Sequence, residues 1–120
     1  MIPGVRALTA YVASALVSGR PNSSVFDYEL GGYRMISGTV SKGNINIFDH
    51  TDSCHFTGSG NGMHYSLYHY GEGAHITLDI KGKSFMGYDY GSGSHFNGTV
   101  SGKSVMLYDY GEGRYFNFST

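Results

Sequence analysis

Beyond Asn22 the chain alternates apolar and polar residues in short runs punctuated by glycine. Ile36, Val40, Phe56, Ile76, Leu78, Ile80, Phe96, Val100, Phe116 and Phe118 keep one parity. His55, Thr57, His75, Thr77, His95, Asn97, Thr99, Asn117 and Ser119 keep the other. A period of two predicts β-strands with one greasy and one wet face. A slip of one residue would exchange the two sets.

The runs recur. Phe48, Tyr68, Tyr88 and Tyr108 stand twenty residues apart, as do Asp49, His69, Asp89 and Asp109, and Gly-x-Gly follows at Gly71, Gly91 and Gly111. A degenerate copy begins at VFDYELGGY (Val25–Tyr33) and looks two residues longer in its turn, so that five copies cover residues 23–120. Each copy reads as a β-hairpin: Ser84–Tyr90 runs out, Gly-x-Gly reverses the chain, and Ser94–Val100 returns. The return loops SKG, GNG, KGK and SGK are equally short. An up-and-down antiparallel meander of about ten strands follows from this spacing. Pairing Tyr88 with Phe96 across the turn puts Phe26, Tyr28, Phe48, Tyr68, Tyr70, Met86, Tyr88, Met106, Tyr108 and Tyr110 on the apolar face. Unpaired sheet edges are a liability, so the sheet is expected to curl or close into a barrel.

The first segment has a different pattern. Val5, Leu8, Val12, Ala15 and Leu16 fall on one face at helical spacing, predicting a helix over residues 4–19. Gly19 supplies a stop and Pro21 prevents resumption. Ala13-Ser14-Ala15 resembles a signal-peptidase site, but Thr9, Tyr11 and Ser14 interrupt the apolar run before it, so the helix is preferred. Gly38, Gly58 and Gly98 fall on the apolar face, where they leave room for another backbone, and the alanine-rich helix is the expected occupant. The expected fold is all-β with one N-terminal helix plugging or covering a curled or closed barrel, in a single domain of residues 1–120.

Composition narrows the function classes. Net charge is −1, which gives no bulk attraction to nucleic acid or anionic membrane. Cys54 is the one cysteine, so no internal disulfide forms, which leans toward a cytoplasmic rather than a secreted protein. There are 19 glycines and 11 tyrosines but no tryptophan. The Gly-x-Gly turns lack the following helix and Lys-Ser pair of a phosphate loop.

Three chemistries are open to the polar face. With Tyr88 opposite Phe96, Asp89 faces His95, Asp49 faces His55, His69 faces His75 and Asp109 faces Tyr115. Cross-strand pairing is the preferred reading of that row. A metal site would use His55, His69 and His75 with Asp49 or Asp89, since zinc takes three or four convergent ligands. General acid–base catalysis would use Asp89–His95 or Asp49–His55. Lys42, Lys81, Lys83 and Lys103 sit in the return turns, while Glu29, Asp52, Glu72 and Glu112 sit in the outgoing ones. One rim of the barrel should therefore be basic and the other acidic.

The run FNGTVSGK (Phe96–Lys103) resembles the core of MORN repeats, hairpin meanders implicated in lipid-headgroup or protein binding. The twenty-residue period with GRYFNF (Gly113–Phe118) is similar to cell-wall-binding repeats such as choline-binding hairpins. The MORN period is longer and the choline-binding modules rely on tryptophan, so no binding residue is carried across. The expected function is a non-catalytic binding or structural module using the polar face or a charged rim. Its partner would be a protein, glycan or headgroup, with no cofactor and no specific nucleic acid. The alternative is a small metal-dependent or acid–base hydrolase. Membrane contact through the N-terminal helix is the least favoured expectation.

Overall fold

The structure, a computed structural model, describes residues Met1–Thr120. Helix α1 (Pro3–Ser18) precedes ten strands: β1 (Ser24–Asp27), β2 (Gly32–Val40), β3 (Asn44–Asp49), β4 (Cys54–Gly60) and β5 (His64–His69), then β6 (Ala74–Lys81), β7 (Ser84–Asp89), β8 (Ser94–Ser101), β9 (Ser104–Asp109) and β10 (Arg114–Ser119). Every strand pairs antiparallel with its chain neighbours. Phe26 also pairs with Ser119 and Asp27 with Phe118, which closes the barrel.

Ten strands enclose more space than wall side chains can fill; about eight is the size that side chains alone close. Helix α1 occupies the remainder. Its residues from Gly4 to Ser14 are buried on every side, not along one stripe. The amphipathic reading is corrected accordingly. Ala7, Ala10, Ala13 and Ser14 keep the helix slim, while Leu8 and Val12 fill the gaps between wall residues. Pro3 starts the helix. Gly19 ends it in the left-handed conformation, donating its N–H to Ala15 O at 2.8 Å. The Tyr11 hydroxyl donates to Asn22 O and ties the helix to the segment entering β1. The run weighed as a signal peptide is the centre of the core.

The returning strands face as expected: Ile36, Phe56, Ile76, Leu78, Phe96, Val100, Phe116 and Phe118 point inward. The outgoing strands are shifted by one residue. Tyr88 pairs with His95, and Phe96 pairs with Gly87. The inward side chains are therefore Val25, Ile45, Ile47, Tyr65, Leu67, Phe85, Val105 and Leu107. Tyr28, Tyr70, Met86, Met106 and Tyr110 are exposed, and Phe26, Phe48, Tyr68, Tyr88 and Tyr108 lie half-buried on the outside. The cause is the turn. Asp89 closes against Ser94, so the loop holds the four residues Tyr90–Gly93, not three. Gly93, at φ 69°, returns its N–H to Asp89 O at 2.8 Å. One added loop residue moves every preceding side chain to the other face.

Two smaller expectations also change. The β1–β2 turn has the same four-residue length, closing Asp27 against Gly32, and the additional residues lie in the nine-residue strand β2. A Cβ at Gly58 would meet Ser66 O and the Leu67 side chain, and one at Gly98 would meet Met106 O and the Phe85 ring. These glycines admit a neighbouring strand's large residue rather than the helix.

Candidate functional site

The one-residue shift takes Asp27, Asp49, His69, Asp89 and Asp109 out of the polar face and into the barrel mouth. All five are buried. Each ends an outgoing strand and accepts a hydrogen bond from the turn that follows. Asp27 Oδ1 takes the Glu29 N–H at 2.9 Å, Asp49 Oδ1 the Thr51 N–H at 2.9 Å, and Asp89 Oδ1 the Gly91 N–H at 3.0 Å. Asp109 Oδ1 takes the Gly111 N–H at 2.9 Å, and His69 Nδ1 takes the Glu72 N–H at 2.9 Å. A short carboxylate that binds its own backbone two residues on is a turn device. At Asp89 and Asp109 the Asp-x-Gly spacing is the sequence mark of this turn; Asp27 and Asp49 make the same bond without that glycine.

Four buried carboxylates at one mouth require compensation. Arg34 reaches Asp27 at 3.6 Å, Asp49 at 3.3 Å and the rim residue Asp52 at 3.0 Å. Asp109 faces the Met1 ammonium at 3.1 Å and Arg6 at 3.5 Å. Arg6 also lies 3.8 Å over the Phe116 ring. The positive end of the α1 dipole lies at the same mouth. Asp89 has no cation. It accepts a hydrogen bond from the Ser92 hydroxyl at 2.9 Å, and Glu72 is the neighbouring carboxyl. Burial, and then the neighbouring Asp89, push Glu72 up to about 7, so that below neutrality the carboxyl beside Asp89 is largely uncharged. Gly91 makes this possible, because the Glu72 carboxylate occupies the space its Cβ would take.

Cys54 and His69 approach to 3.5 Å between Sγ and Nε2, which invites a thiol–imidazole reading. His69 Nδ1 already accepts a backbone N–H, so the neutral ring carries its proton on Nε2 and has no lone pair to offer the thiol. Burial raises the Cys54 thiol and lowers the His69 imidazole, opposite to what an activated pair needs. The pair is packing.

The sequence-predicted row is not assembled. Asp49, Asp89 and Asp109 point in, while His55, His75, His95 and Tyr115 point out. The trio His55, His69 and His75 is likewise split by the wall. The outward members belong to a different construction. His55 packs edge-to-face on Phe48 at 4.8 Å, His75 on Tyr68 at 4.9 Å, His95 on Tyr88 at 4.7 Å and Tyr115 on Tyr108 at 4.8 Å. On the other side of each central ring sits a turn aromatic: His50 at 5.0 Å, Tyr70 at 5.0 Å, Tyr90 at 4.8 Å and Tyr110 at 4.9 Å. Phe26 completes the circuit with Tyr28 and Tyr33, both at 4.9 Å. Five aromatic triads thus girdle the barrel below its acidic mouth. Edge-to-face pairs contribute about 0.5–1.5 kcal/mol each.

No family model, curated protein or solved structure matches the chain.

Below the girdle the wall carries Ser, Thr, Asn and Met, and between the rims its one charged side chain is Asp79, bonded to His64 at 2.7 Å. Grooves of 300–470 Å³ run along it between hairpins. The Lys42, Lys81, Lys83 and Lys103 side chains are exposed at the far rim and make no salt bridge. No helix of the structure is long and apolar enough to cross a membrane.

Proposed function

We propose that this protein is a non-catalytic binding module that holds its ligand against the outer wall of the barrel. The five hairpin copies read in the sequence would each contribute one aromatic triad to the contact surface. The observation that carries this reading is the filled interior. Helix α1 occupies the space where a barrel of this size would keep a ligand, so recognition is left to the outside. Rings exposed by more than half, as at Tyr28, Tyr33, Tyr70, Tyr90, Tyr110 and Tyr115, are the type of residue that gains most from being covered. The wall is also the wrong way round for a bilayer. A membrane-spanning barrel presents an apolar band to lipid, whereas here the aliphatic strand residues face in and Ser, Thr and Asn stand among the outward rings and methionines.

A second reading places the ligand on the lysine rim, favoured by the four unpaired side chains there. Ionic strength separates the two, because contacts between exposed charges are screened within about 10 Å at 0.1 M salt. The test uses immobilised neutral polysaccharides, heparin and anionic phospholipid vesicles. Ligand capture should be lost when Tyr70, Tyr90 and Tyr110 are all changed to Ser. It should survive Gln at the four lysines and be unaffected by salt. Capture of heparin or vesicles alone, abolished by the lysine changes, would move the function to the rim.

A further inference from the structure

The groove that crosses β6, β7 and β8 beside the β9–β10 turn has a lining chemistry that selects a ligand class. It measures about 370 Å³ and is bordered by Tyr88, His95 and Tyr110, with Thr77, Asp79 and Asn97 on its floor and side. Its polar groups are already fixed. Asn97 Nδ2 donates to the Tyr110 hydroxyl at 2.9 Å, Thr77 Oγ1 accepts the Tyr88 N–H at 3.1 Å, and Asp79 Oδ1 is bonded to His64 Nδ1 at 2.7 Å. The Tyr88 ring is braced between Tyr90 and His95, while Tyr110 is 55% exposed. Such a site offers flat ring faces beside amide, hydroxyl and carboxylate groups, with no cation among its lining residues.

We propose that this groove is a subsite for a neutral glycan, with the Tyr110 ring covering the apolar face of a pyranose and Asn97, Thr77 and Asp79 bonding its hydroxyls. The inference rests on the wall-binding reading above and names its ligand. Other ligand classes fit less well. A peptide strand would need a free sheet edge, and closure has paired every edge. A nucleic acid or phosphate would need cations, and the groove has Asp79 instead. An acyl chain would need an enclosed apolar cavity, and this groove is open, with Thr77, Asp79, His95 and Asn97 among its nine lining residues. Adjacent triads are two strands apart, about 9.5 Å, close to one disaccharide unit of an extended chain. A linear glycan lying across the strands would therefore meet a second triad before the wall curves away.

The experiment is a two-dimensional NMR titration of the intact protein with short linear oligosaccharides of glucose, xylose, mannose and N-acetylglucosamine, one at a time to millimolar concentration. At least one should shift the Asn97 side-chain amide and the Tyr88 and Tyr110 rings. Tyr110→Ala, at an exposed turn, should weaken that binding by about tenfold or more, the value of one well-used ring. Tyr33→Ala, in a different triad, should leave it unchanged. If none of the four sugars shifts the groove signals, the glycan assignment is wrong. If a sugar binds, Tyr33→Ala weakens it and Tyr110→Ala does not, the groove is wrong while the wall-binding reading stands.

Discussion

At the scale of single residues, the repeated Tyr-Asp-Tyr-Gly-x-Gly encodes a turn and sends its neighbours in opposite directions. The aspartate goes in to hold the turn, and the two tyrosines go out to the girdle. Glu72 is the residue whose charge the fold changes most. Its carboxyl, pushed up to about 7 from an ordinary 4.5 by burial and by Asp89, keeps a proton in the native state that the unfolded chain releases. Between those values the native state binds more protons, so stability falls as pH rises through the window. The sign for His69 is opposite on the acid side. Burial lowers it from 6.5, so below that pH the unfolded chain takes a proton that the native one refuses, and stability falls as pH drops. Thermal midpoints measured from pH 4.5 to 8 should therefore separate wild type from Glu72→Gln. The variant should lose the decline toward neutrality and keep the loss in acid. Superimposable curves would show that the fold leaves the Glu72 carboxyl at its ordinary acidity. In the sequence these residues were visible as candidates, but their partners were not, because a pairing that is wrong by one residue assigns every partner wrongly.

At the scale of elements, α1 is a helix by propensity and a core by location. Its end at Gly19 and its lack of charge beyond Arg6 are legible in the chain, but its burial on all sides is not, because it depends on how much space the strands enclose. Ala10 is wholly buried, so Ala10→Leu should overpack the lumen and cost about 1–3 kcal/mol. Urea unfolding at constant m-value is the measurement. A neutral result would mean that the barrel holds its helix loosely. The strands themselves were easier to read. Parity in β4, β6, β8 and β10 placed their side chains correctly because large apolar residues mark one face without ambiguity. In β5, β7 and β9 both faces carry large rings or methionines, and the pattern alone could not choose between them.

For the whole molecule, near-zero net charge conceals a strong separation. Of the nine carboxylate side chains only Asp79 lies away from the α1 N-terminal mouth, while Arg20 and the four lysines crowd the other end. The helix dipole runs in the favourable sense between them. The closing seam is the weakest part of the wall. β1 and β10 share two residue pairs, where β7 and β8 share six. Arg114 bridges the seam to Glu29 at 2.6 Å and 3.1 Å on the exposed surface. Amide exchange should open there first, with the Tyr28 N–H, bonded to Asn117 O at 3.2 Å, exchanging faster than the amides of β8. Arg114→Ala should accelerate it further without changing β8. Uniform protection around the barrel would show that closure is cooperative and the seam is not a separate opening unit.

The chain by itself determined the helix, the number of strands, the antiparallel order and the inward face of every returning strand. Each of these follows from local spacing and from the mark that large apolar residues leave. Tertiary structure decided that the sheet closes, that the helix is encased and that the aspartates turn in while the aromatics turn out. The encasement depends on the volume ten strands enclose, which no single stretch of sequence expresses, and the facing on four-residue loops that Asp-x-Gly marks only at Asp89 and Asp109.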